Sequence, residues 1–491
     1  MRSLSFVDHL VFKDICTTSS RNLCLYDVDN DGDNELIIGY WDSGPLLENG
    51  EADAENAEGS IHVLKYKKVW KVSSHLGMVS CVTAGSIYKP GQTWIIALCA
   101  DSHCYAFDAC ATVSDSECIP IKSVQKLQQS RGSLKSGHIA KPKINTLKMV
   151  HHQELAYNAK DVCIFNQGEI AVAYSDRVVR LYSWSSYETQ KNSTKSSSAS
   201  SSSSCPDSSS NLGEFILLIK WELAGQINRI DTCLTQKHGL MLIASQPSGG
   251  FAHLHRKFEK YHNNVAPTLT YYPPRVISSN NLQTRTWLVG NVMNNSSCTT
   301  TGDNDDKSTV EPDTTSSRLI CLCTADGNML LIDPTRDNDT DLVLWSIQVH
   351  TRSELFALGK IKLTQDDGDQ IVVCSWDGAT YIFDLNNNSV CFPLGQSCQA
   401  FIAGVYAVDA GVNVPVLIYS TFDHNIRIYY NLHLNYIAAQ SLHSTILTDQ
   451  LLVEKLQKKQ VDPHNPVQLS EALRHILYEL PEQTTHPHLC D

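Results

Sequence analysis

The stretch "DQIVVCSWDGATYIFD", Asp369–Asp384, sets an unbroken apolar run against an alternating one, with Asp377 and Gly378 between them. An unbroken run suits a strand covered on both faces, and alternation suits a strand nearer the outside. Asp followed by Gly or a small residue suits the tight connections that fit the twist of paired strands. Working outward in both directions, the same unit recurs until there are seven. The others are "NELIIGY" with "GSIHVLKY", "TWIIALCADSHCYAFD", "GEIAVAYSDRVVRLYSW", "GLMLIASQPSGGFAHLHRK", "RLICLCTADGNMLLID" and "PVLIYSTFDHNIRIYY". In five units an Asp opens the turn: Asp101, Asp176, Asp326, Asp377 and Asp423.

Weaker apolar stretches such as "MVSCVTAGSIY", "INRIDTCLT", "ELFALGKIKL" and "FIAGVYAVD" lie between these hairpins. One strand before each hairpin and one after it make four per unit. A four-stranded sheet with apolar faces must stack on another, and seven arranged radially close a ring. The expected fold is all-β: a seven-bladed β-propeller over residues 1–440, followed by a C-terminal helical extension over 441–491.

Second strands begin near Ser60, Ser102, Arg177, Gly250, Gly327, Gly378 and His424, so successive starts differ by 42, 75, 73, 77, 51 and 46 residues. The three short steps match one propeller blade. The long steps hold polar tracts at about 110–142, 185–210 and 291–317, and a fourth at about 42–58 opens the first hairpin. Such tracts cannot bury enough apolar surface to offset their ordering entropy and are expected to be disordered insertions. "NLHLNYIAAQSL" is expected to supply a last strand, with "LSFVDHLVF" pairing beside it to close the ring. The chain is expected to end in two helices. The second starts at Asn465 as N-cap, with Pro466 in the first helical position and Gln468 completing a capping box.

Composition narrows the function. Net charge is −13, which disfavours phosphate backbones and anionic membrane surfaces as partners. Asp8, His9, Lys13 and Asp14 interrupt the N-terminus, so no secretory signal is expected, and nowhere do about 18 apolar residues run together. The 17 cysteines, an odd number, fall in strand-like runs and suggest buried thiols, hence a cytosolic protein. G-x-S-x-G, H-E-x-x-H, G-x-G-x-x-G, P-loop and C-x-x-C motifs do not occur. The histidine pairs His151 with His152, His253 with His255 and His486 with His488 lack Cys or carboxylate partners at zinc-ligand spacing. No catalytic residue and no required cofactor are expected.

One short stretch carries chemistry of its own. "DVDNDGDNELIIG", Asp27–Gly39, places carboxylates at loop positions 1, 3, 5 and 9: Asp27, Asp29, Asp31 and Glu35. Gly32 permits a sharp turn, and the Asp33 carbonyl could supply position 7. Calcium takes six to eight oxygens, which alternating carboxylates around a Gly turn can deliver, and an isolated loop of the extracellular-module kind binds at roughly 10⁻⁴–10⁻³ M. A strand follows, where an EF-hand would need a helix. The loop resembles those of FG-GAP repeats in integrin-type propellers. A second candidate, "KLTQDDGDQIVV", with Lys362, Thr364, Asp366, Asp367 and Gln370 at the matching places, is expected to hold no metal.

The opening "MRSLSFVDHL", the "CLYDVDNDGDNELIIG" loop, the "VVCSWDGATYIFDL" hairpin and the C-terminal "VDPHNP" resemble the integrin-alpha FG-GAP repeat-containing protein 2 family, as a divergent, invertebrate-like member. The resemblance implies a non-catalytic scaffold subunit of the KICSTOR complex, with kaptin and two other proteins as partners. It also implies a cytoplasmic protein recruited to the lysosomal surface, where the complex helps hold the GATOR complex acting on Rag GTPases and restrains TOR signalling when amino acids or glucose are short. Other readings are a generic WD40-like interaction propeller, suggested by "SDRVVRLYSW", a calcium-stabilised integrin-like adhesion module, and a propeller hydrolase. The C-terminal stripe supplies candidate partner-binding residues Leu473, Ile476 and Leu477, which could dock in a groove.

Overall fold

The structure is a computed structural model. It describes residues 2–5, 7–15, 17–42, 58–111, 145–187, 212–235, 239–256, 268–271, 284–294, 318–336, 342–349, 351–363, 368–386 and 388–436, with 446–447, 450–459, 461–463, 465, 468–472 and 474 near the C-terminus. The chain divides into two compact units, Leu4–Leu434 and a smaller one formed by Met1–Ser3 with Asn435–Asp491.

The larger unit is a seven-bladed propeller. Its inner strands are Leu23–Tyr26, Val79–Ser86, Ala159–Asn166, Arg229–Thr235, Thr286–Met293, Leu355–Ile361 and Cys398–Asp409. Each touches the next, and the seventh touches the first, which closes the ring. The second strands, Glu35–Asp42, Thr93–Cys99, Glu169–Tyr174, Gly239–Ser245, Arg318–Thr324, Gln370–Ser375 and Val412–Thr421, follow them outward. Their unbroken apolar runs have the cause expected from the sequence: neighbouring blades cover both faces. All seven residues of Thr93–Cys99 and all six of Gln370–Ser375 are buried. Ile37, Ile61 and Val63 of the first blade meet Val82, Ile95 and Phe107 of the second in one cluster. Truncating any one of these to Ala should cost about 2–5 kcal/mol.

The third strands begin at Glu58, His103, Val178, Phe251, Asn328, Ala379 and Asn425, within two residues of the starts read from the sequence. The Asp turns share one conformation. Ser102, Arg177, Gly327, Gly378 and His424, each following an Asp, all take positive φ, between 58° and 96°. Ser375 Oγ donates to Asp377 at 2.5 Å, and Thr324 and Thr421 do the same to Asp326 and Asp423. At Gly378 a Cβ would lie 2.2 Å from the Gln396 carbonyl, so glycine is required there for space as well as for φ.

Ring closure departs from the sequence expectation. Asp8–Lys13 is itself the outermost strand of the seventh blade, pairing antiparallel with Asn425–Tyr430. Phe12 and Leu10 supply the reason, since they join Ile426 and Ile428 in one core cluster. Among the described residues the expected last strand contributes His433–Tyr436, which pairs with Arg2–Ser5. The insertions at 43–57, 112–144, 188–211 and 295–317 lie outside the described residues. In the smaller unit, Gln450–Lys458 is a helix, and a second helical stretch starts where Asn465 Oδ1 accepts the Gln468 N–H at 3.4 Å. The Gln468 side chain accepts the Asp462 N–H at 3.2 Å, and the Asn465 N–H donates to the Asp462 carbonyl.

Candidate functional site

The antiparallel order of strands fixes two faces of the propeller. Turns from first to second strand and from third to fourth lie on one face. Turns from second to third strand and the links between blades lie on the other. The acidic loop is the first-to-second turn of the first blade.

All the loop's carboxylates have partners. Asp27 accepts the N–H groups of Asp31 and Gly32 at 3.2 and 2.9 Å, folding the turn over itself. Glu35, fully buried, accepts the Val28 N–H at 3.0 Å. Asp33 accepts the Tyr66 hydroxyl at 2.8 Å and the Gly411 N–H at 2.9 Å, which ties the first blade to the seventh. Asn34 and Asn413 add to that seam, Asn413 Nδ2 donating to the Gly32 carbonyl at 2.6 Å. At the centre sits Lys65. Its Nζ lies 2.6 Å from Asp29 Oδ2, 2.6 Å from Asp31 Oδ2 and 2.8 Å from Glu35 Oε1, and the side chain is 8% exposed. Burial works against its charge, yet Asp29, Asp31 and Glu35 hold the Lys65 ammonium above the ordinary lysine range. The sequence reading brought the four carboxylates together correctly but missed Lys65, which stands 30 residues beyond Glu35.

The inner strands carry a second arrangement that sequence reasoning also missed. Facing one another around the channel, they are stitched by polar side chains, Asp161 and Asp231 on the strands themselves, Asn22 in the short turn before the first inner strand, and Asp369 just before the second strand of the sixth blade. Asp161 accepts the Ile230 N–H at 2.8 Å, Asp231 the Gly290 N–H at 2.9 Å and Asp369 the Met293 N–H at 2.9 Å. Asn22 donates to the Val79 carbonyl at 3.0 Å. Each bond satisfies backbone groups that an edge strand would otherwise leave unpaired. Polar residues at strand positions, as in "AKDVC" and "RIDTC", were the available signal.

At the face opposite the acidic loop, the starts of the inner strands carry Arg21, Lys160, Arg229 and, one residue before its strand, Arg285. Asp161 pairs with Arg229 at 3.2 Å. Burial first, then the nearby charges of Arg21 and Arg285, lower the Lys160 pKa to about 8 against the opposing pull of Asp161. Exposed Met78, Tyr157 and Phe422 lie in the links and turns of this same face, at 51%, 70% and 59% exposure.

His151 is buried against Trp184 and Phe215, and His152 stacks on Tyr105 and meets His103 at 2.9 Å. Among the described residues the one group of carboxylate, His or Cys atoms close enough to share a metal is Asp27, Asp29 and Glu35. Every described cysteine is a free thiol. No helix among the described residues is long and apolar enough to cross a membrane. Thr364, Asp366 and Asp367 of the second acidic candidate, and Leu473, Ile476, Leu477, His486 and His488, lie outside the described residues.

The sequence matches the family described as integrin-alpha FG-GAP repeat-containing protein 2 over residues 64–434. The chain belongs to that family. Two relatives are each named KICSTOR complex protein ITFG2. The mouse protein is 26% identical, aligned over 98% of this chain and 97% of its own; the bovine protein is 27% identical, over 90% and 74%. Among solved structures the chain is similar to BBS1N in complex with ARL6DN, at 10% identity and TM-score 0.46, over 88% of this chain and 97% of that one. Chaetomium thermophilum Raptor gives 12% identity and TM-score 0.47, over 86% of this chain and 29% of that one.

Proposed function

We propose that this family member is a non-catalytic scaffold subunit of a KICSTOR-type complex, cytoplasmic and recruited to the lysosomal surface. There the complex helps bring the GATOR complex to Rag GTPases and so restrains TOR signalling when amino acids or glucose are limiting. The observation that carries this reading is the end-to-end alignment with relatives bearing the KICSTOR name, over 98% of this chain and 97% of the mouse protein. A relation that spans every blade is what conservation of a docking body, more than of one pocket, requires.

The face carrying Met78, Tyr157 and Phe422 beside the Arg21, Lys160 and Arg285 rim suits such a role. Aromatic, Met and Arg side chains are enriched in interface cores, and a cationic rim selects partners with acidic surfaces. Kaptin and the other subunits are the partners this reading names. A second contact is assigned to the C-terminal stripe of Leu473, Ile476 and Leu477.

The test is affinity purification of the full chain from cells followed by mass spectrometry. Recovery of the other KICSTOR subunits supports the reading. Failure to recover them while the propeller remains folded overturns it. Tyr157→Ala with Phe422→Ala tests the face, and Ile476→Asp tests the stripe: loss of partner with an unchanged melting point assigns the contact. The adhesion alternative calls for several metal-bearing turns, whereas among the described residues one carboxylate group has suitable spacing.

A further inference from the structure

Loops of the FG-GAP type hold a divalent cation among carboxylates, and the test of fit here is what occupies the focus of those carboxylates. Oxygens of Asp27, Asp29 and Glu35 lie within 4.8 Å of one another. Lys65 Nζ sits within 2.8 Å of Asp29, Asp31 and Glu35. An ammonium has three N–H donors, and three carboxylates face them. The lysine is not a passing surface group. Its strand, Glu58–Lys65, pairs with Glu35–Asp42 in the register that sets Leu64 opposite Leu36, so residue 65 ends beside Glu35. Trp70 and Tyr66 wall the ammonium, with ring centroids at 5.1 and 5.5 Å. A calcium ion needs six to eight oxygens at 2.3–2.6 Å and cannot share this space with Nζ. The residues present do not fit a divalent ion alongside Lys65.

We propose that the Lys65 ammonium is the resident cation of this turn, built into the chain where relatives of the motif bind metal. The turn, and with it the seam between the first and seventh blades, is therefore set without calcium. The same geometry implies a latent metal site. Asp29 Oδ1 is buried without a hydrogen-bond partner, and removing Lys65 would leave it facing Asp27 and Glu35 with their charges uncompensated.

The experiment uses the full chain, with thermal unfolding followed in EGTA and in 5 mM CaCl₂, and calcium binding measured by titration calorimetry. The natural protein is expected to melt at the same temperature in both and to show no calcium binding at or below about a millimolar. Lys65→Met is expected to melt roughly 5 °C or more lower in EGTA, and calcium should restore part of the loss with a midpoint in the range of roughly 10⁻⁴–10⁻³ M. If Lys65→Met does not fold, Lys65→Met with Asp31→Asn should recover folding by removing one uncompensated charge. Calcium raising the melting point of the natural protein, or a Lys65→Met protein as stable in EGTA as the natural one, would overturn the proposal.

Discussion

The two faces of this propeller hold opposite charges and treat them in opposite ways. On one, Asp29, Asp31 and Glu35 are compensated from within the chain by a lysine that is 8% exposed. On the other, Arg21, Lys160, Arg229 and Arg285 crowd around the buried Asp161, and Arg285 is exposed. A charge cluster closed by its own counter-charge holds a structure together. A cluster left in excess of counter-charge raises the local potential and can recruit one from outside. The first face is therefore architectural, and the second is the one the proposed scaffold role gives to a partner.

That contrast can be broken most directly at Lys65. Removing one member of a buried ionic group leaves its partners uncompensated, and Lys65→Met should cost about 3–5 kcal/mol, read by denaturant unfolding. If the cost is that of an ordinary surface substitution, the acidic face is not architectural. Arg229→Gln probes the other face at its most buried point. It strips the ion pair from Asp161 but leaves the Ile230 N–H donor, so a loss of about 1–3 kcal/mol is expected in the same assay.

Arg285→Gln should leave stability within about 0.5 kcal/mol, as substitutions at exposed positions do. Partner capture should weaken roughly three- to tenfold, and more so at low salt, where exposed charges act over longer range. Equal capture by this variant and the natural protein would remove the basic rim from the interface.

The smallest effect concerns pH. Burial, with Arg21 and Arg285 nearby, lowers the Lys160 pKa from its ordinary 10.5 to about 8. The unfolded chain then binds more protons than the folded one between those values, so stability rises as pH climbs from about 8 towards 10.5, and below about 8 the folded state carries the full penalty. Lys160→Gln should therefore raise the melting point below about pH 8, with the gain fading as pH climbs through that window. A difference that stays flat with pH would show that Lys160 titrates as a free lysine.

Much of the fold was legible because its signals are local. The five Asp turns appear in the sequence as Asp and the residue after it, and in the structure all five of those following residues take the left-handed conformation. The second strands were readable because burial on both faces permits no polar interruption. That the N-terminal stretch takes part in ring closure was readable, but not that Asp8–Lys13 itself forms the seventh blade's outer strand: it pairs with residues more than 400 positions away, and "HLVF" alternates no more clearly than "HLNY". The stitching of inner strands escaped for a similar reason. Asp161, Asp231 and Asp369 look like ordinary polar interruptions until a neighbouring blade's N–H groups stand opposite them.

By itself the sequence determined how many hairpins there are, where each turns and which strand of each must be covered, because hydrogen-bonded turns and apolar periodicity depend on residues a few positions apart. Only the tertiary structure decided what the acidic loop holds. A carboxylate cluster specifies that a cation is needed but not which one, and Lys65 reaches it only after the register of two paired strands has placed its Nζ between Asp29, Asp31 and Glu35.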